Sequence, residues 1–230
     1  MSTEPALAVK HIVWDWNGTL LADNHAVLAG VNAVCAAFGR EPIDIEHWRS
    51  IFSRPLVACY EGLLGRSLAT ADWSSLDQLY HRAYEELLHT CGLAPGVPDE
   101  LHRWAATGRS QSLLSMWFHH RLVPLITEFQ LAPLFARVDG LRDTVGGGSK
   151  AEHLAAHLAA QQLDPADVLV IGDVVDDAVA AAHVGAHCVL VSTGAMSAEK
   201  LSVEGVPVVD SVAAAIALTN HPIGGQKTVY

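Results

Sequence analysis

The sequence predicts an α/β fold, a doubly wound parallel sheet with a helical segment inserted after its first strand. From residue 98 onward, short and nearly continuous apolar runs alternate with helical patterns, as in parallel sheets that are covered on both faces. An earlier apolar run, His11–Trp14, is followed by a long stretch with a helical pattern. Two of the apolar runs end in aspartates, Asp15 and Asp173, which parallel strands would bring to one edge of the sheet.

The inserted segment, residues 22–93, differs in composition from the rest of the chain. It is rich in aromatic residues, and apolar side chains recur at steps of three and four from Leu76 to Leu88, the stripe of an amphipathic helix. Pro and Gly at its end mark a linker. We therefore predict an α/β core formed by residues 1–21 and 94–230, with residues 22–93 forming a helical cap above the carboxyl edge of the sheet.

The remaining elements follow in order along the chain. The predicted strands are residues 11–15, 110–115, 135–139, 168–172, 187–192 and 206–209. The predicted helices of the core are residues 98–107, 119–130, 149–161 and 176–184. Because most of these strands are separated by a helix, right-handed crossovers and a parallel sheet are expected.

The composition restricts the class of partner. The formal net charge is −11, and the chain shows no basic stripe for a phosphate backbone, so we expect no nucleic-acid partner. Four widely spaced cysteines form no CxxC pair, which favours a reducing compartment. No apolar stretch reaches the ~20 residues of a membrane span, and the first residues lack a signal-peptide pattern. We therefore predict a cytoplasmic protein that does not bind membranes.

The acidic residues at the strand ends predict a cation site. Asp15 follows one apolar run, while Asp173 follows another and is itself followed by Asp176 and Asp177. Carboxylates that converge repel one another unless a hard cation such as Mg²⁺ lies between them. Asp176 also fits an ordinary acidic residue in the first turn of a helix.

Four short motifs in a fixed order resemble those of the haloacid dehalogenase (HAD) superfamily, in its phosphoglycolate phosphatase-like form with a helical cap. The segment Asp15–Thr19 (DWNGT) is similar to the family's DxDGT motif. Ser115 ends an apolar strand, and Lys150 opens a helix after a glycine run, as in the second and third motifs. The segment Gly172–Asp177 (GDVVDD) is similar to the acidic GDxxxD motif.

The resemblance implies a Mg²⁺-dependent phosphatase of small phosphorylated metabolites that works through an aspartyl phosphate. It implies that Asp15 is the nucleophile and that Ser115 and Lys150 stabilise the transferred phosphoryl group. The metal ligands that it implies are Asp15, Asp173 and the backbone carbonyl of Asn17. A small phosphorylated molecule is therefore the expected partner.

Further residues are expected to order the site or to bind the substrate. Asp177 faces the site if a helical turn begins at the strand end, and there it would orient water or the lysine; whether it also contacts the metal stays open at this point. Gly18 lets the backbone amides approach the phosphoryl oxygens, and the Thr19 hydroxyl can bond to the loop or to a nearby carboxylate. Arg54 and His119 are candidate substrate-binding residues, although each also fits a solvated surface position.

Asn17 departs from the pattern of the family. Phosphatases of the family carry a second aspartate here, which protonates the leaving group and then deprotonates the attacking water. An amide cannot transfer a proton in this way, and such help contributes ~10²–10⁴-fold to the rate. Three interpretations stay open at this point: a substrate with a good leaving group, such as an acyl phosphate or a nucleotide anhydride; replacement by His119 or His120; or a catalytically weak or inactive phosphometabolite-binding protein on the same scaffold.

Overall fold

The computed structural model describes residues 9–142, 149–202 and 205–220 of the chain. In these residues the strands are β1 (His11–Trp14), β2 (Leu21–Ala22), β3 (Gly92–Leu93), β4 (Ser110–Phe118), β5 (Val138–Leu141), β6 (Val168–Gly172), β7 (His187–Val191) and β8 (Val208–Val209). The helices are α1 (Asn24–Ala37), α2 (Ile45–Ile51), α3 (Leu56–Leu64), α4 (Thr70–Leu88), α5 (Val97–Ala106), α6 (His119–Glu128), α7 (Lys150–Gln161), α8 (Val175–Val184), α9 (Ala198–Leu201) and α10 (Val212–Ala217).

A parallel sheet of six strands, in the order β5-β4-β1-β6-β7-β8, forms the centre of the molecule. Strand β1 lies between β4 and β6, with Trp14 opposite Leu113 on one side and Ile171 on the other. The predicted α/β fold with a parallel sheet is therefore confirmed. The central position of β1 also explains why its short sequence is wholly apolar after His11, since both of its faces are covered.

Alternate residues of β1 enter different apolar clusters on the two faces of the sheet. Ile12 and Trp14 are buried in a cluster that includes residues of α5, α6 and α10. Val13 is buried in the other cluster, to which α7 and α8 contribute. Each fully buried side chain of this size contributes about 1.5–3 kcal/mol through the hydrophobic effect. Helices on both faces make the sheet doubly wound, as the sequence predicts.

The helical segment α1–α4 is inserted in the chain between β1 and α5. The two ends of this excursion pair as an antiparallel ribbon, in which Leu21 of β2 is opposite Leu93 of β3. Within the segment, α1 packs along α4, and Trp48, Phe52 and Tyr60 form an aromatic cluster. The predicted division into a core and a cap at residues 21/22 and 93/94 would fall in this ribbon, and it stays a prediction.

Several predicted strand boundaries are wrong: β8 begins at Val208 instead of residue 206, and larger differences occur in β4 and β5. Strand β4 continues to Phe118, beyond the predicted end at residue 115, because its pairing with β5 resumes at Phe118 and Leu141 after an irregularity. Strand β5 begins at Val138 instead of residue 135, because the single helical turn Ala132–Leu134, with a proline in it, precedes it. The sequence patterns also do not predict the short helices α9 and α10.

Among the described residues, no helix combines the length and the hydropathy that crossing a membrane would require.

Candidate active site

Three carboxylates meet at the carboxyl edge of the sheet. Asp15 directly follows β1, Asp173 directly follows β6, and Asp177 lies in the first turn of α8. One carboxylate oxygen of each residue lies within 4.8 Å of the others, and all three residues are buried. The register of β1 against β6 produces this meeting, since the Asp15 amide donates to the Ile171 carbonyl at 2.9 Å. These three residues, together with Lys150, are called the acidic cluster below.

Lys150 is the cation of the acidic cluster. It begins α7, its Nζ donates to Asp15 Oδ1 at 2.7 Å, and it also contacts the Asp177 carboxylate. Burial by itself lowers the pKa of Lys150, but the carboxylates of Asp15 and Asp177 outweigh burial and raise it above its ordinary value. The lysine is therefore held as an ammonium. The glycine run before it, residues 146–148, lies outside the described residues.

One ammonium does not balance three carboxylates. Burial, followed by the neighbouring charges of Asp15 and Asp177, raises the pKa of Asp173 well above its usual range. Burial also raises the pKa of Asp177, although Lys150 opposes that rise. With all three carboxylates ionised, the acidic cluster would carry an excess of negative charge in a buried place, which contributes to these raised pKa values. Carboxylate oxygens with this excess are the donor set that a hard divalent cation prefers.

Asp173 is enclosed by two loops. The Thr19 hydroxyl donates to its Oδ1 at 3.2 Å and the Ala195 amide donates to its Oδ2 at 2.6 Å. Gly18 and Gly194 approach its carboxylate so closely that a Cβ on either residue would collide with it. Gly18 also has a φ of +72°, which favours glycine. The contact predicted for Thr19 is present, whereas Gly194 and Ala195, which follow β7, were not predicted from the sequence.

Asn17 is bound to residues outside the acidic cluster. Its Nδ2 donates to Asp23 Oδ2 and to Tyr84 Oη, at 2.8 Å in each case. Tyr84 Oη donates to Asp23 Oδ2 at 2.8 Å, and the Gly18 amide donates to Asp23 Oδ1 at 2.9 Å. Burial raises the pKa of Asp23, while the hydrogen bonds from Asn17 and Tyr84 oppose the rise. These four residues are called the Asn17 network below.

Asp23 and Tyr84 were missed as site residues by sequence reasoning. Asp23 is 1% exposed and directly precedes α1, yet its side chain makes no capping hydrogen bond to that helix. Tyr84 belongs to the apolar stripe of α4, which predicts only a core position. The one signal in the sequence was that Asp23 is an acidic residue shortly after the DWNGT motif. That signal did not indicate that Asp23 binds Asn17 and Tyr84.

Ser115 lies in β4, at the same edge of the sheet as Asp15. Because Leu113 is opposite Trp14, Ser115 stands one residue beyond the level of Asp15. Its hydroxyl oxygen accepts a hydrogen bond from the Trp117 amide at 3.0 Å. The hydroxyl hydrogen of this buried serine is therefore left to be donated to another group.

The candidate substrate-binding side chains occupy different surroundings. Arg54 lies beside the acidic cluster, with its Nε 3.8 Å from Oδ2 of Asp176. His119 Nδ1 accepts a hydrogen bond from the Gly140 amide at 3.2 Å. Burial, together with nearby Arg142, lowers the pKa of His119. The His120 ring stacks on Phe118. In the described part of the chain, neither imidazole forms a hydrogen bond to the acidic cluster or to the Asn17 network.

Comparisons with known proteins agree with the fold and the motifs. Residues 9–185 match the family model described as "Hydrolase: haloacid dehalogenase-like hydrolase". Phosphoglycolate phosphatase 1 of Pseudomonas aeruginosa is 26% identical over 84% of this chain and 74% of its own length. The phosphoglycolate phosphatase of Synechococcus elongatus is 28% identical over 81% of this chain and 85% of its own length.

Solved structures are similar in fold. A haloacid dehalogenase-like family hydrolase from Streptococcus pneumoniae has a TM-score of 0.77 at 17% identity, over 91% of this chain and 98% of that one. A predicted phosphatase from Clostridium acetobutylicum also has a TM-score of 0.77 at 17% identity, over 89% of this chain and 95% of that one.

Proposed function

The chain belongs to the haloacid dehalogenase-like hydrolases, and we propose that it is a Mg²⁺-dependent phosphatase of small phosphorylated metabolites. Its membership confirms the resemblance that the four motifs predicted and the expectation of an enzyme. The observation that carries the proposal is the acidic cluster, in which three buried carboxylates face one ammonium. The two phosphoglycolate phosphatases to which the chain is similar support a small phosphorylated molecule as the type of substrate.

The donor set of the acidic cluster fits Mg²⁺. Asp15, Asp173 and the backbone carbonyl of Asn17 are the proposed ligands, and Asp177 is proposed to orient Lys150 and water. When bound, the ion neutralises the excess negative charge and withdraws charge from the phosphoryl oxygens. The hydroxyl of Thr19 and the amide of Ala195 hold Asp173 in its orientation without help from the metal.

Asp15 is the proposed nucleophile. Its carboxylate oxygen forms a bond to phosphorus while the bond from phosphorus to the leaving oxygen breaks, and an aspartyl phosphate results. Water then attacks the phosphorus while the bond from phosphorus to the Asp15 oxygen breaks, so that the Asp15 carboxylate is regenerated and the phosphate leaves as dihydrogen phosphate with both protons of the water. Lys150, already 2.7 Å from Asp15, supplies a positive charge where negative charge gathers on the phosphoryl oxygens. Ser115 donates its free hydroxyl hydrogen to one of those oxygens.

The helical segment α1–α4 is proposed to act as the cap that excludes water and selects the substrate. It reaches the core next to the acidic cluster through Arg54, which pairs with Asp176. It also contacts the loop after β7, where Arg49 donates to the Met196 carbonyl at 3.4 Å, and helix α9, from which Lys200 donates to the Phe52 carbonyl at 2.7 Å.

Phosphate release tests the proposal directly. Wild-type protein, Asp15→Asn and the control Asp99→Asn, which makes the same chemical change at an exposed position of α5, are assayed with acetyl phosphate, p-nitrophenyl phosphate and 2-phosphoglycolate. Each is measured with Mg²⁺ and with a chelator. We expect Mg²⁺-dependent release by the wild type and by Asp99→Asn, and a loss of more than ~10³-fold in Asp15→Asn.

Two results would contradict the proposal. Release by Asp15→Asn at the rate of the wild type would exclude Asp15 as the nucleophile. No release from any substrate, combined with a Mg²⁺-dependent thermal shift on adding a phosphorylated ligand, would favour the alternative of a catalytically inactive binding protein. Asn17 is the observation that keeps this alternative in view.

A further inference from the structure

The Asn17 network fixes the direction of every hydrogen bond within it. Asn17 uses its two amide hydrogens on Asp23 Oδ2 and Tyr84 Oη, and Tyr84 uses its hydroxyl hydrogen on Asp23 Oδ2. The Gly18 amide donates to the other oxygen of Asp23. Three of these four hydrogens are donated to the Asp23 carboxylate, and the fourth is donated to Tyr84 Oη. A carboxylate in place of the amide at position 17 could make neither of the donations that Asn17 makes.

This arrangement leaves Asn17 with only an acceptor to offer. Among the described residues its Oδ1 receives no hydrogen bond, and both hydrogens of its Nδ2 are engaged by Asp23 and Tyr84. The polar atom that remains for a ligand is thus a carbonyl oxygen, which carries no proton to give. Of the other nearby donors, Lys150 is paired with two carboxylates. His119 accepts a hydrogen bond from the Gly140 amide at its Nδ1, and among the described residues its ring makes no hydrogen bond to the acidic cluster or to the Asn17 network.

We propose that Asp23 and Tyr84 are positioning residues that hold Asn17 as a fixed amide, so that the site selects phosphates whose leaving group departs without a proton. The substrate class is then an acyl phosphate or a phosphoanhydride. This inference rests on the proposed phosphatase activity. Tyr84 belongs to α4, so the network is complete only when the inserted helical segment is packed on the loop after β1.

The chemistry of the first step explains the selection. As the Asp15 oxygen bonds to phosphorus, the electron pair of the breaking bond stays on the leaving oxygen. A carboxylate or phosphate leaving group is stable as that anion at neutral pH, and no proton has to be supplied. An alkoxide is not stable, and its departure depends on the general acid whose usual contribution is ~10²–10⁴-fold.

The network also predicts how the missing acid can be restored. Asn17→Asp alone would place two carboxylates side by side, with the one Tyr84 hydrogen shared between them. In the double variant N17D/D23N, the amide stands at position 23 and the carboxylate at position 17, and each donation between the two positions is reversed. Tyr84 then donates to position 17 and accepts from position 23, and the Gly18 amide donates to the amide carbonyl. The exchanged pair keeps every hydrogen bond of the network.

The experiment compares kcat/KM, which reports transfer to Asp15, for acetyl phosphate, p-nitrophenyl phosphate and 2-phosphoglycolate. We expect the wild type to favour acetyl phosphate over 2-phosphoglycolate by at least ~10²-fold. In N17D/D23N this preference should shrink by at least ~10-fold, because 2-phosphoglycolate is turned over faster. Asn17→Asp should shrink it less than the double variant does. Rates of Asp15→Asn are subtracted as the background for the labile acyl phosphate.

Wild-type protein alone keeps the inference falsifiable if the double variant does not fold. Over a series of aryl phosphates, log kcat/KM should fall steeply as the pKa of the leaving phenol rises. A shallow dependence, or 2-phosphoglycolate turned over within ~10-fold of acetyl phosphate, would overturn the inference while leaving the phosphatase activity in place. Failure of every substrate, with wild type equal to Asp15→Asn, would instead overturn the proposed function.

Discussion

Two polar clusters with buried members lie on the strands of the sheet, and they differ in how far their own residues balance their charge. The first is the acidic cluster at the carboxyl edge, where carboxylates outnumber the single ammonium. The second lies further back along β1 and β4 and is called the imidazole network here. Its members are His11, Ser110, Ser112, Asp139 and His157.

The ring nitrogens of the imidazole network are all satisfied by neighbouring side chains. The two ring nitrogens of His11 lie 2.7 Å from the hydroxyl oxygens of Ser110 and Ser112. His157 Nε2 lies 2.7 Å from Ser112 Oγ, and its Nδ1 lies 2.8 Å from Asp139 Oδ2. Both nitrogens of each ring therefore have a partner, and no ligand is needed to satisfy them.

This difference makes the acidic cluster the better candidate for a ligand site. Ser112, His157 and Asp139 have the residue types and spacings of a hydrolytic triad, but Ser112 is 0% exposed and no substrate can reach it. The acidic cluster has no such familiar geometry, yet it holds charge that its own residues do not balance. We therefore use buried charge without a counter-charge, and not a familiar arrangement of side chains, as the indication of a ligand site.

Removal of the only ammonium of the acidic cluster should have the largest effect. We expect Lys150→Met to lower the free energy of unfolding by about 3–5 kcal/mol, because it leaves the Asp15 and Asp177 carboxylates buried without a counter-charge. Urea unfolding in the absence of metal measures this loss. Lys10→Met, at an exposed pair with Asp167, is the control and should match the wild type. A loss below ~1 kcal/mol in Lys150→Met would contradict the charge imbalance.

Acid should act mainly on the imidazole network. Burial, helped by His157, lowers the pKa of His11 from 6.5 to about 4, and burial also lowers the pKa of His157. The unfolded chain therefore binds protons first as the pH falls below 6.5. Stability should decrease between pH 6.5 and about 4, on the order of 3 kcal/mol for His11.

Urea unfolding at several pH values checks this sign. His11→Gln, which cannot titrate, should show a weaker pH dependence than the wild type. Asp173 works in the opposite direction, because its raised pKa makes the folded protein bind protons more tightly as the pH falls. An equal pH dependence in His11→Gln and the wild type would remove His11 as the cause.

Metal should stabilise the acidic cluster and leave the imidazole network unaffected. Mg²⁺ at about 100 times its Kd is expected to raise the free energy of unfolding by ~2.7 kcal/mol. Asp173→Asn should lose this response, whereas Asp99→Asn should keep it. A Mg²⁺ response that persists in Asp173→Asn would exclude Asp173 as a ligand.

The rim of the acidic cluster should give the smallest effect on stability. Arg54 and Asp176 are 3.8 Å apart and their side chains are 35% and 27% exposed, so the pair contributes less than ~1 kcal/mol. If Arg54 binds substrate, Arg54→Ala should raise KM and leave kcat near the wild-type value. Arg82→Ala, on an exposed part of α4, is the matched control. An unchanged KM in Arg54→Ala would remove Arg54 from the substrate site.

The fold could be predicted because its signals are local. A short apolar run predicts a strand that is covered on both faces. An aspartate directly after such a run, as at Asp15 and Asp173, indicates the edge of the sheet. The stripe from Leu76 to Leu88 records the buried face of α4. The strand bounds near 115 and 135 were less predictable, because the pairing of β4 with β5 depends on a register irregularity.

The sequence by itself determined the parallel sheet, the helical insertion and the carboxylates that meet at one edge, because each depends on residue order and on the direction of the strands. Only the tertiary structure decided what holds Asn17. Its partners Asp23 and Tyr84 are 6 and 67 positions away along the chain. Likewise, His11 reaches Ser112 across 101 positions. Such contacts depend on how α4 and β4 pack against β1 and its loop, and no periodicity in the sequence records that packing.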